Sequence, residues 1–510
     1  STELVDVHVA QGHGTNPALH GHNGTAAFTW SYAELQQYVD QIAHVLTQDM
    51  GLLPGNRLLL RGGNTPMMAA CFLAGLKAGL VMVPTMPLLR AAELHQVIDK
   101  AQITAALCVH HLAEELNHCS DPSHPHHAPS LQQVLHFGRS DGTGIESLMR
   151  KHTAPFQAHP TSRDDACLIA FTSGTTGSPK GTVHFHRDVM AMCDLFPRHI
   201  LRMSSEDVVC GTPPIAFTFG LGGLLAFPLR YGASTVLLEK HTPETLLNTI
   251  ASYRATQCYT APTFYRQMAM LAHNVNLSSL RHPVSAGEAL PDATRQLWKE
   301  KTGIEITDGI GGTEMIHIYI ASAGTQVRAG SIGQVVPGYT ARIVDDDMQP
   351  VPHGTPGRLA VRGPTGCRYL NDARQTNYVK DGWNLPGDTF SMDADGYFYY
   401  VARNDDMIIS AGYNIAGPEV ESALLQHPAV AECGVIGVPD AERGQIVMAY
   451  VTLKPEYNAD DEMVETLQNF VKQSIAPFKY PRRIQFMPAL PRTETGKLQR
   501  FRLRQLATQK

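Results

Sequence analysis

The sequence has no CxxC pair, no uninterrupted apolar run of membrane-spanning length and no excess of basic charge. Its nine cysteines, at 71, 108, 119, 167, 193, 210, 258, 367 and 433, are scattered and odd in number. That speaks against a disulfide framework and for a reducing compartment. The longest apolar stretch, Met67 to Pro84, is broken by Lys77 and several small residues, and it reads as a buried helix followed by a buried strand rather than a bilayer span. Acidic residues outnumber basic ones by 47 to 41, for a net charge of -6, so bulk charge does not hold a nucleic acid. No signal peptide opens at Ser1, and the abrupt start leaves open whether an N-terminal segment is missing from this numbering. No internal repeat with a period of about 20–50 residues is present. The expectation is a cytoplasmic protein with neither a membrane nor a nucleic-acid partner, which leaves room for a homodimer.

What is present is ordinary globular composition over 510 residues, 43% hydrophobic and 17% charged, enough for about three domains. Short runs rich in Val, Ile and Leu alternate with helical stretches. Arg57–Arg61 reads as a strand, Asn64 as a helix cap with Pro66 in the first turn, and Leu80–Val83 as the next strand; this is a strand–helix–strand unit with parallel strands. Ser234–Leu238, Gln257–Thr260 and Cys433–Val438 read as further buried strands. The pattern predicts an α/β fold with a large multi-layer N-terminal domain, residues 1–404, and a small mobile C-terminal α/β domain, residues 405–510. Ligands are expected at the carboxyl ends of the strands. The segment from Val109 to Ser130 holds His110, His111, His118, His124, His126 and His127. No pair in it has the i, i+4 spacing of a helical metal site, and its Pro and Ser breaks favour a surface insert.

The strongest local signal is Thr172–Gly181, TSGTTGSPKG, with five hydroxyl residues, three glycines and one lysine after the apolar strand Cys167–Phe171. Glycines let backbone N–H groups approach phosphate oxygens, hydroxyls add donors, and Lys180 adds a charge. It is not a Walker A loop, because Pro179 stands where the second glycine should be and Gly181 where Ser or Thr should follow. Thr182–Phe185 reads as a strand, so the loop joins two strands.

This loop resembles the phosphate loop of the adenylate-forming superfamily of acyl-CoA synthetases, peptide-synthetase adenylation domains and luciferases. Further motifs follow in order: GIGGTEM at 309–315, WNLPGDT at 383–389, RNDDMII at 403–409 followed by SAGYNIAGPEVE, and RTETGK at 492–497. The resemblance covers nearly the whole chain, and it implies an ATP- and Mg²⁺-dependent acid–thiol ligase that uses coenzyme A. It implies that Thr172, Ser173, Gly174, Thr175, Thr176, Gly177 and Lys180 hold the β- and γ-phosphates, that Thr313 touches the α-phosphate, and that Glu314 holds Mg²⁺. Asp388 would accept hydrogen bonds from the ribose hydroxyls with support from Arg403, and Glu288 and Asp308 would line the adenine pocket. Lys497 would neutralise charge as carboxylate and α-phosphate meet. The small domain would then turn about Asp405, bringing Gly412 to the cleft where pantetheine passes.

For the acid, PPIAFTFGLGG would supply one wall through Ala216 and Phe217, Gly309 and Gly311 would leave room for a planar group, and His317 and Ile318 resemble the benzoate–CoA ligase branch. GPTGCRYL, DGWNLPGDTF and NDDMIISAGYNIAGPEVE resemble 2-aminobenzoate–CoA ligases. Benzoate and hydroxybenzoate stand as alternative substrates. An inactive relative that senses an aryl acid or nucleotide stands as an alternative of another class, against which the intact Lys180, Glu314, Asp388, Arg403 and Lys497 speak.

Overall fold

Strands that read as continuous apolar runs must be covered on both faces. The computed structural model, which describes residues 1–22, 26–139, 143–172, 179–403, 406–410, 413–440, 443–493 and 497–508, accounts for them in this way. One sheet runs in the order Gln133–Phe137, Ala105–Val109, Arg57–Arg61, Val81–Thr85, Ala166–Thr172, Lys180–Phe185. Along its strand Arg57–Arg61, Leu58 and Leu60 point into a central core while Leu59 points into an outer one, as the two-residue period of a strand requires. The outer core is closed by the helices Ala91–Ala101 and Ala113–Ser120.

A nine-stranded sheet forms the other wall, with the parallel strands His282–Ser285, Gln257–Thr260, Val208–Gly211 and Ser234–Val236 at its centre. Its outer face is covered by Pro243–Tyr253, Pro262–Leu271 and Asp292–Thr302. The helices Tyr32–His44, Pro66–Lys77 and His186–Phe196 fill the space between the two sheets. A smaller antiparallel sheet, from Thr340–Val344 to Phe398–Arg403, adds Ile343, Val361, Phe390 and Phe398 to the same core.

The chain leaves that sheet at Arg403 and enters another at Met407–Ser410. This last sheet pairs Val430–Asp440 with Gly444–Leu453 and packs its own core on the helices Gly417–Leu424 and Asp461–Ser474. The architecture is therefore the expected α/β fold, with a large N-terminal part and a smaller C-terminal part. The junction at Asp405 lies outside the described residues. Arg266 of the large part donates to the backbone carbonyls of Leu425, Val430 and Ala431 in the small part.

Two local expectations change. Asn64 is not the cap of the helix Pro66–Lys77: with Pro66 at the first helical position, Thr65 takes the capping place and accepts from the Met68 N–H. Asn64 instead donates to Pro213 O at 3.0 Å and accepts from Ile215 N–H at 2.8 Å. The strand expected over Ser234–Leu238 ends at Val236, whose parallel pairing with His20 is closed by the Leu237 N–H donating to His20 O. The histidine-rich segment forms the turn His110–Leu112 and the helix Ala113–Ser120, and among the described residues no cluster of His, Cys, Asp or Glu has metal-binding geometry. No described helix is long and apolar enough to cross a membrane.

Candidate active site

The glycine-rich loop spans a hairpin. Strands Ala166–Thr172 and Lys180–Phe185 pair antiparallel, with Thr172 opposite Lys180 at the loop mouth. Ser173, Gly174, Thr175, Thr176 and Gly177 lie outside the described residues. The mouth is held from outside: Lys100 Nζ donates to Pro179 O at 3.1 Å and to the Asp372 carboxylate at 2.7 Å. The strand after the loop is flanked by residues 368–370, where Val183 N–H donates to Arg368 O and Leu370 N–H to Gly181 O, both at 2.8 Å.

Thr313 and Glu314 sit in the tight turn Thr313–Met315 at the carboxyl end of strand Thr307–Gly311, where ligands of open α/β sheets bind. Buried His184 donates from Nε2 to Thr313 O at 2.8 Å, and Tyr369 Oη donates to Glu314 Oε1 at 2.7 Å. The turn closes at Ile316 with φ at +67°, a costly conformation for a β-branched residue. Its effect is to send Glu314 and His317 to opposite sides: Glu314 toward the hairpin, His317 into the core.

Asp388 and Arg403 face each other across paired antiparallel strands, with 3.9 Å between Arg403 Nη1 and Asp388 Oδ1. Asp388 is buried whereas Arg403 reaches solvent, so a carboxylate with two acceptor oxygens lies beneath a cation. Asp308 is buried on strand Thr307–Gly311, 3.5 Å from Arg295. Burial pushes its carboxyl up to about 7, with Arg295 opposing. A cavity of about 340 Å³ opens beside it, lined by Ala289, Leu290, Asp308 and Tyr400 from the large part and by Pro418 and Glu421 from the small part. Glu288, expected beside Asp308, accepts from the Leu498 N–H at 2.6 Å and lies 3.6 Å from Arg492. Its carboxylate is engaged by the lysine loop.

Lys497 stands at the end of that loop, where its N–H donates to Thr493 Oγ1 and its carbonyl accepts from the Thr493 N–H. The side chain crosses to the large part: a Cβ placed on Gly287 would lie 3.2 Å from Lys497 Cε. The residue is exposed, and its ammonium end lies against the Gly287 backbone. Desolvation lowers its pKa, while Glu288, Glu314 and Asp388 raise it and Arg403 lowers it. The ammonium thus sits in the electrostatic field of Glu288 and of charged residues from three of the quoted motifs, Glu314, Asp388 and Arg403. Gly412 lies outside the described residues.

The residues expected at the acid also come together. Ile318 packs on Gly309, where a Cβ would come within 2.9 Å of its Cγ2. His317 is buried among Phe196, Phe219 and Phe227, the last edge-on at 4.5 Å. Its Nε2 lies 3.3 Å from Phe219 O. That contact joins it to the segment that carries Ala216 and Phe217, which Asn64 pins at Pro213 and Ile215. Gly311 is required, since a Cβ there would meet His317 O at 2.6 Å. Burial lowers the His317 pKa to about 3, with the Phe219 carbonyl opposing, so the ring is neutral. A neutral ring that donates from Nε2 carries its lone pair on Nδ1, which has no hydrogen-bond partner among the described residues.

A hard divalent cation fits Glu314. Tyr369 engages only Oε1, and Oε2 faces Gly312, where a Cβ would lie 3.6 Å away; carboxylate oxygen together with phosphates is the donor set Mg²⁺ prefers. Sequence reading missed His184, Asn64, Arg492 and Tyr369. Arg492 and Tyr369 had a signal, their places in RTETGK and in GPTGCRYL.

Two family models match the chain: AMP-binding enzyme over residues 7–369 and AMP-binding enzyme C-terminal domain over residues 419–497. The benzoate–CoA ligase of Thauera aromatica is 35% identical over 489 residues, covering 94% of this chain and 91% of that protein. The crystal structure of an anthranilate CoA ligase in complex with anthranoyl-AMP superposes with a TM-score of 0.92 at 31% identity, covering 100% of this chain and 98% of that one. A benzoate CoA ligase from Burkholderia xenovorans LB400 follows with a TM-score of 0.87 at 31% identity, covering 98% of both chains.

Proposed function

This chain belongs to the AMP-binding enzyme family, and from that premise we propose that it is an aryl-CoA ligase whose acid is 2-aminobenzoate. The family's activity is that of an AMP-forming acid–CoA ligase that uses ATP, Mg²⁺ and coenzyme A. The observation that carries the reading is the placement of Lys497 across the cleft, its Cε 3.2 Å from a Cβ position on Gly287 of the large part, in the field of Glu288, Glu314, Asp388 and Arg403.

In the first half-reaction a carboxylate oxygen of the acid attacks the α-phosphorus, an acyl–O–P bond forms, and the bond to pyrophosphate breaks. Two anions must approach, so catalysis is positioning and charge neutralisation. Lys180 and the hairpin loop hold the β- and γ-phosphates, and Thr313 contacts the α-phosphate. Lys497 brings a compact ammonium on a long stem to the point where the carboxylate meets it. Glu314 holds Mg²⁺, which supplies charge neutralisation at the phosphates. Asp388 and Arg403 hold the ribose, and Asp308 faces the base in the cavity beside it.

In the second half-reaction the thiol sulfur attacks the acyl carbon and AMP leaves. Lys497 occupies the cleft, so it must withdraw first. We assign residues 1–404 and 405–510 as the two domains, with the turn at Asp405 and Gly412 at the thiol path.

The anthranilate and benzoate ligases support an aromatic acid, and Phe217 and Ile318 offer apolar walls for a ring; the side-chain space at Gly309 and Gly311 is filled by Ile318 and the His317 carbonyl rather than left for the acid. The unpaired acceptor of neutral His317 supports an ortho amine, which donates. AMP formation from ATP and CoA across a panel of acids tests the reading: an aliphatic acid used better than any benzoate overturns the aryl assignment, and benzoate used better than 2-aminobenzoate overturns the amine alone.

A further inference from the structure

Tyr369, in the run GPTGCRYL, is assigned no role by the motifs, yet it touches two parts of the site. The residue is buried. Its Oη donates to Glu314 Oε1 at 2.7 Å, and Lys180 Nζ stands 5.5 Å from the centre of its ring, within reach of a cation–π attraction. Its backbone is fixed as firmly as its side chain. It bridges to Thr182 on the strand that leaves the phosphate loop, and its N–H donates to Gln375 Oε1 at 2.7 Å. Three residues on, Asp372 binds Arg374 and Lys100, the lysine that also holds Pro179. The ring packs edge-on against Tyr378 at 5.8 Å. A carboxylate only accepts, so at this distance the phenol hydroxyl is the donor.

We propose that Tyr369 is a positioning residue for the metal: its hydroxyl occupies Glu314 Oε1, so that Oε2, on the Gly312 side, is presented to Mg²⁺, and its ring sets Lys180 over the same phosphates. This rests on the reading of Glu314 as the magnesium ligand. Partners of metal-ligating carboxylates fix ligand orientation, and their loss typically weakens metal binding by about 10–100-fold. Removing the hydroxyl alone leaves the ring, the strand bridge and the Gln375 contact in place, so the effect falls on the metal rather than on the nucleotide or the fold.

The test is Tyr369→Phe, Glu314→Gln and the double variant, with nucleotide binding measured by calorimetry in Mg²⁺ and in EDTA, and ATP–pyrophosphate exchange titrated with Mg²⁺. In Tyr369→Phe the half-saturating Mg²⁺ concentration should rise about tenfold. Affinity for metal-free ATP and thioester formation from supplied acyl adenylate should be unchanged. The double variant should lose no more Mg²⁺ affinity than Glu314→Gln alone, because both act through one carboxylate. Equal weakening of metal-free and metal-bound nucleotide in Tyr369→Phe, or additive losses in the double variant, overturns the proposal. A Glu314→Gln enzyme with wild-type Mg²⁺ dependence overturns the metal reading itself, whereas an effect in Glu314→Gln with none in Tyr369→Phe overturns only the role of Tyr369.

Discussion

The Leu498 backbone N–H donates to Glu288 Oε1 at 2.6 Å across 210 positions of sequence. Arg492, from the same loop, stands 3.6 Å from that carboxylate and 3.2 Å from Glu432 of the small part. One acidic side chain of the large part therefore holds both ends of the loop that delivers Lys497. A hydrogen bond to a charged group contributes about 1.5–3 kcal/mol. Glu288→Ala should accordingly slow adenylate formation by about 10–100-fold while leaving thioester formation from supplied acyl adenylate at or above the wild-type rate. Single-turnover measurement of the two half-reactions checks this, and equal loss in both would mean that Glu288 acts on the nucleotide.

Lys497→Ala removes the ammonium that sits in the field of Glu288, Glu314, Asp388 and Arg403. Adenylate formation should fall by at least about a hundredfold, the scale of a preorganised electrostatic contact to the developing charge, and thioester formation from supplied adenylate should survive. Rapid-quench assays of AMP and thioester separate the two steps. A comparable fall in both would assign the lysine a structural role.

Much of this arrangement was legible in the sequence, because the phosphate hairpin, the GGTEM turn, Asp388, Arg403 and Lys497 are local motifs whose residue types match their chemistry. The fold class was legible because strands covered on both faces read as continuous apolar runs, as RLLLR does. What was not legible depends on distant contacts. Asn64 reads as a cap by local rules but is used by Pro213 and Ile215, about 150 positions away. Glu288 reads as a pocket wall until Leu498 and Arg492 are folded against it. Tyr369 reads as one aromatic among many until its hydroxyl is found on Glu314.

The buried His317 makes stability depend on pH. Its folded pKa, about 3, lies below the ordinary histidine value of 6.5, so between these values the unfolded chain binds the extra proton. The stability it contributes is complete above pH 6.5 and is lost as pH falls toward 3. The loss at pH 5 relative to pH 7 should be about 2 kcal/mol from this group alone. Denaturant titrations of the wild type and His317→Phe at the two pH values measure it: the variant, with no imidazole to protonate, should show a shallower acid limb. A slope identical to that of the wild type would show that His317 takes up no proton on unfolding.

Selectivity among acids follows from the same histidine and its neighbours. A ring set against Phe217 and Ile318 buries apolar area that acetate lacks, a difference of a few kcal/mol at about 25 cal/mol per Å²; benzoate-sized planar acids should therefore exceed acetate by orders of magnitude in kcat/KM. The ortho amine adds a smaller increment. His317 donates from Nε2 toward Phe219 O and packs its Cδ2–Nε2 edge against Gly222, where a Cβ would come within 2.5 Å of Cδ2. The acceptor Nδ1 is thus on the ring edge away from Gly222, buried and without a partner among the described residues, and a 2-amino group would donate to it once the packing around the ring opens to admit the acid. One neutral hydrogen bond is worth about 0.5–1.5 kcal/mol, so 2-aminobenzoate should exceed benzoate by no more than about tenfold. 2-Hydroxybenzoate should fall between them if its hydroxyl leaves its bond to its own carboxylate. His317→Phe keeps an aromatic ring but removes the acceptor, so it should erase the preference for the amine while benzoate remains a substrate. The panel of 2-aminobenzoate, benzoate, 2-hydroxybenzoate, acetate and octanoate, run on both enzymes, decides the matter. An unchanged amine preference in the variant would move recognition of the ortho group to another wall of the pocket, and octanoate as the best acid would mean that the space beside Phe217 and Ile318 is a channel for a chain rather than a slot for a ring.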